Sequence, residues 1–151
     1  MRNYGYACIN MGFSSRPKSQ RITTNRTMIK RTFKDRGIEY ASELALQNLR
    51  DLRTILEWNL ENDIYFYRLS SDIIPWASEY DLTDMPNYGA IHAAALSAGN
   101  FARQHNMRLT SHPGPFNKLA SPKERVFQLT KTDLSVHGDL FDLLGLPRTP
   151  Y

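Results

Sequence analysis

The sequence predicts an α/β fold built from parallel strand–helix units, the first three of a (β/α)8 TIM barrel, and three observations predict it. Short β-prone apolar runs alternate three times with long stretches at helical spacing, in units of roughly 45 residues. No two-residue hairpin signal joins one run to the next, so successive strands must be linked by crossovers, which are right-handed in parallel sheets. The chain has 151 residues, whereas a complete eight-unit barrel needs about 250. Residues 1–151 are therefore read as the amino-terminal part of a single barrel domain, the barrel being incomplete.

Tyr4 to Asn10 reads as the first strand, apolar at most positions and ending in a polar Asn. Glu39 to Asn62 is the clearest helix. Ala41, Leu44, Ala45, Asn48, Leu49, Leu52, Ile55 and Leu56 recur at helical spacing, with Glu43, Gln47, Arg50, Arg53 and Glu57 opposite. Asn48 interrupts the apolar stripe and is expected to hydrogen-bond a neighbouring loop. Ile64 to Leu69, aromatic and β-prone, is the second strand, ended by Ser70-Ser71-Asp72 and followed by a loop from Ile73 to Tyr80. A second helix starts around Pro86 and runs to about His105, with Ile91, Ala94, Ala95, Ala98 and Ala102 forming a small-residue face. Met107 to Ser111 is the third strand. The third helix, Pro122 to about Leu144, is expected to bury Val126, Leu129, Leu140, Phe141 and Leu144. Ser121 is its expected N-cap, Pro122 its first turn, Glu124 the partner in a capping box and Gly145 its left-handed stop. Leu146 to Tyr151 stands where a fourth strand would begin.

At 41% hydrophobic and 23% charged residues the composition is that of a globular domain. No apolar run is long enough to span a bilayer and the N-terminus lacks a signal-peptide core, so no membrane role is expected. Cys8 is the single cysteine, which allows no disulfide within the chain and fits a reducing, cytoplasmic setting. The net charge of +4 is unevenly placed. Eight of the 19 Lys and Arg but one of the 15 Asp and Glu lie in residues 16–36, so that segment carries +7 and the rest of the chain −3. A solvated loop and a phosphate-contacting surface account for this equally well on charge alone.

His112 ends the third strand, and Pro113-Gly114 turn the chain sharply after it. Ligand and catalytic groups of parallel α/β folds gather at this carboxyl edge. A histidine there serves as a metal ligand or acid–base group, or simply bonds a nearby carbonyl. Asp72 and Glu79 follow the second strand on the same predicted face. They suit a divalent ion shared with His112, or equally a turn cap and a solvated carboxylate. Tyr6 and Asn10 on the first strand are expected to reach the same mouth. Tyr67, Trp76 and Phe116 are candidates to stack on bases, Tyr67 being better suited to the core. His92, His105 and His137 lie on helices, where packing or surface roles are expected.

Several ordered motifs resemble the amino-terminal half of the UV-damage endonucleases. They are Gly5-Tyr6-Ala7-Cys8-Ile9-Asn10, Thr24-Asn25-Arg26-Thr27 and Asn48-Leu49-Arg50-Asp51-Leu52. Tyr67-Arg68-Leu69-Ser70-Ser71-Asp72-Ile73-Ile74-Pro75, His112-Pro113-Gly114-Pro115-Phe116 and Ala120-Ser121-Pro122 complete the set. The resemblance implies a barrel related to endonuclease IV and xylose isomerase, and a cluster of divalent ions, commonly Mn²⁺. It also implies nicking of damaged duplex DNA immediately 5′ to ultraviolet photoproducts. His112 then corresponds to a metal-ligand histidine, and Glu79 stands where many members carry another. Tyr6 and Asn10 correspond to residues lining the lesion pocket. Pro115-Phe116 stand where many members have a Gln-Tyr probe, so recognition here would lean on shape and stacking. Arg21, Arg26, Lys30 and Arg31 are the expected phosphate contacts, and Arg68, Ser71, Asp72 and Asn117 the expected surround of the site. The family's other metal-site positions come from later strands, so the chain alone is expected to be inactive, and no catalytic acid or base is assigned. The alternatives are another barrel metalloenzyme, such as an apurinic endonuclease or sugar isomerase, and a non-catalytic nucleic-acid-binding piece. A neutral sugar gains little from the basic segment, which disfavours the isomerase.

Overall fold

The computed structural model describes residues 4–147. The expected start of a fourth strand after Leu146 falls largely outside them. The elements in order are β1 (Gly5–Ala7), α1 (Met11–Ser14), a 3₁₀ turn (Lys18–Gln20), α2 (Lys30–Glu61) and β2 (Phe66–Arg68). Two 3₁₀ turns (Ala77–Glu79 and Leu82–Asp84), α3 (Tyr88–Gln104), β3 (Arg108–Thr110) and α4 (Glu124–Leu143) follow. The sheet is parallel, in the order β1-β2-β3.

Register sorts the strand residues onto two faces, because alternate side chains point opposite ways. Tyr6, Tyr67 and Leu109 stand abreast and face the helices, with Tyr67 and Leu109 buried. Gly5, Phe66 and Arg108 form one flanking row, and Ala7, Arg68 and Thr110 the other. Both rows lie on the opposite face, where Gly5, Ala7 and Arg108 are exposed. Gly5 is needed there, since a Cβ on it would come within 2.2 Å of the Phe66 ring. The core lies on the helix side, where Leu49, Leu52, Ile55 and Leu56 of α2 meet Ile91, Ala95, Ala98 and Ala102 of α3. Gly99 lets the end of α4 close on α3, because a Cβ there would stand 1.7 Å from the Leu144 carbonyl oxygen.

The strands are shorter than expected. β1 stops because Cys8 turns left-handed, with φ at 60°. The Cys8 N–H still donates to the Arg68 carbonyl at 2.8 Å. The Tyr67 hydroxyl holds this corner by donating to the Cys8 carbonyl at 2.9 Å.

α2 begins earlier than expected. The helix is broken at Gly37, just before the amphipathic stretch, and the φ of 63° and ψ of −160° there suit only glycine. Residues 30–36 are thus two helical turns that precede the amphipathic helix, and they lack the apolar stripe by which helices are recognised.

α4 begins later than expected, at Glu124, and the capping box does not form. The Ser121 hydroxyl accepts from the Lys123 N–H at 3.2 Å, and the Glu124 carboxylate accepts instead from the Gln128 amide at 2.6 Å. Leu140 and Leu144 are buried as expected, Val126 and Phe141 are partly buried, and Leu129 is 62% exposed.

Candidate functional site

The carboxyl ends of the three strands open on one edge. His112 stands exposed just beyond β3 and Asp72 exposed beyond β2. The imidazole buried in this region is that of His137, from α4. Burial pushes its pKa below the usual value, Asp133 and Asp72 pull it back up, and His112 adds to the lowering. His137 therefore senses the charges of the other three side chains. The clue was present in the spacing Thr130, Asp133, His137, Leu140, which places three polar residues on the helix face that leads into the core.

The loop after His112 is braced. Asn117 N–H closes a turn onto the Gly114 carbonyl at 3.2 Å, with Pro115 and Phe116 at its tip. Phe116 is 87% exposed. The Asn117 side-chain amide donates to the Gly114 carbonyl and to the Asp133 carboxylate. A groove of about 1090 Å³ runs between this loop and α4, lined in part by Glu79, Phe116, Leu119, Leu129 and Asp133. Among the described residues no three His, Cys, Asp or Glu side chains are placed to hold a metal ion. His112 and Glu79 are both exposed, and the residues present do not by themselves fit a metal centre.

Tyr6 and Asn10 do meet, but beneath the edge. Tyr6 points toward the helices, where its hydroxyl donates to Asn59 Oδ1 at 2.6 Å and accepts from Asn10 Nδ2 at 2.8 Å. Burial raises the Tyr6 pKa, with the two amides partly offsetting it. Tyr67 packs edge-on against Tyr6 and is a core residue, its hydroxyl also raised by burial. Arg68 lies on the sheet face away from the helices. It pulls the Cys8 pKa down against the stronger upward effect of burial. Ser71 is exposed, and nothing in the structure gives it a role in the site.

The basic segment divides in two. Arg26 is tied down: its guanidinium pairs with Asp51 at 2.7 Å and donates to the Thr23 and Arg21 carbonyls. Arg21 Nε donates to the Arg16 carbonyl at 3.1 Å. Lys30, Arg31 and Lys34 are exposed on the first turns of α2, where Arg31 approaches Asp35 at 3.9 Å. Phe33 anchors these turns by stacking on Trp76, ring centroids 5.3 Å apart and planes within 5°. Trp76, a candidate for base stacking, is thereby occupied within the fold, and its indole N–H donates to the Met28 carbonyl at 3.0 Å. The stack joins the basic turns to the loop that carries Asp72 and Glu79.

Residues 2–151 match the model of the UV-endonuclease UvdE family. The chain belongs to this family. It is 34% identical over 142 residues to the UV-damage endonuclease of Schizosaccharomyces pombe, an alignment covering 94% of the chain and 23% of that protein. It is 31% identical over 137 residues to the UV DNA damage endonuclease of Clostridium perfringens, covering 90% of the chain and 32% of that protein. The crystal structure of SacUVDE superposes with a TM-score of 0.82 at 27% identity, covering 97% of this chain and 47% of that one. The chain thus spans less than half the length of these relatives. No helix among the described residues is long and apolar enough to cross a membrane.

Proposed function

We propose that the protein is a DNA-repair endonuclease that nicks duplex DNA 5′ to ultraviolet photoproducts, and that this chain supplies one sector of a (β/α)8 barrel's active face. Family membership supports the class of activity. The observation that carries the reading onto this chain is the exposed Phe116, set on a braced turn four residues after His112. In this proposal Phe116 enters the duplex at a damaged step. Opening a base step costs a few kcal/mol, and less where damage has already weakened stacking. Lys30, Arg31 and Lys34 contact phosphates on one side, and the Asp72 and Glu79 loop, tied to them through Trp76, faces the same substrate. Divalent metal, Mn²⁺ in this proposal, would draw His112 and Glu79 from this chain and the rest of its ligands from outside the described residues. When bound it would supply Lewis-acid chemistry.

The test is nicking of end-labelled duplexes, irradiated and unirradiated, with Mn²⁺ or with a chelator. Cleavage confined to irradiated DNA, mapped 5′ to the photoproduct and abolished by chelator, is expected. Equal cleavage of both duplexes, or none, would sink the reading.

A further inference from the structure

Phe116 is nearly bare, so its orientation must come from the turn that carries it. That turn is held to α4 by two side chains. The Asn117 amide has two N–H groups and uses both, one on the Gly114 carbonyl at 3.1 Å and the other on the Asp133 carboxylate. One residue later, the Lys118 backbone N–H donates to the Thr130 hydroxyl at 2.9 Å. Thr130 is 2% exposed, and Thr130 and Asp133 lie on one helix face at i and i+3. The first bond fixes the inside of the turn and the second fixes its exit. A carboxylate acceptor makes the Asn117 hydrogen bond charge-assisted and stronger than a neutral one.

We propose that Asp133 and Thr130 are positioning residues for lesion recognition, acting through Asn117 and Lys118 to hold Phe116 ready before DNA arrives. A wedge on a floppy loop would have to be ordered at the moment of binding, and prior ordering removes that cost. Intact duplex, which Phe116 does not enter, gains nothing from the brace. The brace therefore acts on the ratio of affinities for damaged and intact DNA. This inference rests on the proposed function.

Two measurements test it on the full protein. Hydrogen exchange reads the brace without DNA: Thr130→Val should speed exchange at the Lys118 amide by about tenfold or more, because the acceptor is gone. Binding to irradiated and intact duplexes reads its purpose. Phe116→Ala should lower the affinity ratio by about five- to hundredfold, the range for removing one aromatic stack. Asp133→Ala should lower it in the same direction, Asp133→Asn should largely restore it, and Asp133→Ala should add nothing to Phe116→Ala. Unchanged exchange at Lys118 overturns the brace. A ratio untouched by Asp133→Ala while Phe116→Ala lowers it, or full additivity in the double variant, overturns its role in recognition. Absence of any preference in the unmutated protein overturns the proposed function and the recognition role together, while exchange still reports separately on the brace.

Discussion

The side chain of Asn48 lies fully buried in the apolar face of α2. Its oxygen accepts from the Arg26 N–H at 3.1 Å, and its nitrogen donates to the Arg26 and Ile73 carbonyls at 2.9 and 3.0 Å. One amide thus fastens both the basic loop and the loop after β2 to the helix. Asn48→Leu keeps the volume but strands three backbone groups, and should cost about 2–4 kcal/mol in urea unfolding. Asn48 was legible because a lone amide in an apolar stripe needs partners. Tyr6 was not, since alternation along a strand says which residues share a face but not which face meets the helices. His137 makes the second prediction at this scale. Its folded pKa lies below the ordinary 6.5, so the unfolded chain takes up the proton more readily. Its contribution to stability is therefore complete above pH 6.5 and disappears as the pH falls through the lower folded value. The charges of Asp133 and Asp72 oppose this lowering, and His112 adds to it. His137→Gln should flatten the pH dependence of the melting temperature in that acid range, and an unaltered profile would show that another group governs it.

Among elements, the helix ends show what one-residue signals can and cannot reveal. α2, α3 and α4 all finish with the same pair of bonds. Asp63, Asn106 and Gly145 turn left-handed at φ of 56°, 53° and 62°, and each donates to the carbonyl three residues back. Ile64, Met107 and Leu146, the residues that follow, each donate to the carbonyl five residues back. Only the glycine announced its stop, because Asp and Asn adopt this conformation less often and at some cost. The basic stretch was legible as charge but not as structure. Its division into tied and exposed cations gives a prediction. Replacing Lys30, Arg31 and Lys34 by Ser should lower the slope of log affinity against log salt by roughly 0.9 for each phosphate no longer neutralised. Arg26→Ser should leave the slope nearly unchanged and instead lower stability, by about 1–3 kcal/mol, because it removes the Asp51 pair and two hydrogen bonds to carbonyls. If Arg26→Ser alone flattens the slope, the ion pair opens when DNA binds.

For the molecule as a whole, the sequence carried the parallel order of strands and the two crossovers that join them, because apolar periodicity records which residues are covered. It did not show how little of the second sheet face is covered among the described residues. Parallel sheets are usually packed on both faces, and here the helices cover one. The other bears Phe66 and Arg108, the Phe66 ring lying where a side chain of Gly5 would be. β1 and β3 form the two edges of this sheet. Open parallel edges beside a half-apolar face recruit further strands. The polypeptide 1–151 by itself is therefore expected to self-associate with rising concentration in sedimentation experiments, and to melt broadly. Phe66→Ser should weaken that association, since it removes the largest apolar group from the open face while leaving the helix-side core intact. A monodisperse monomer at all concentrations, with a sharp cooperative melt, would show that one covered face is enough to hold these three strands.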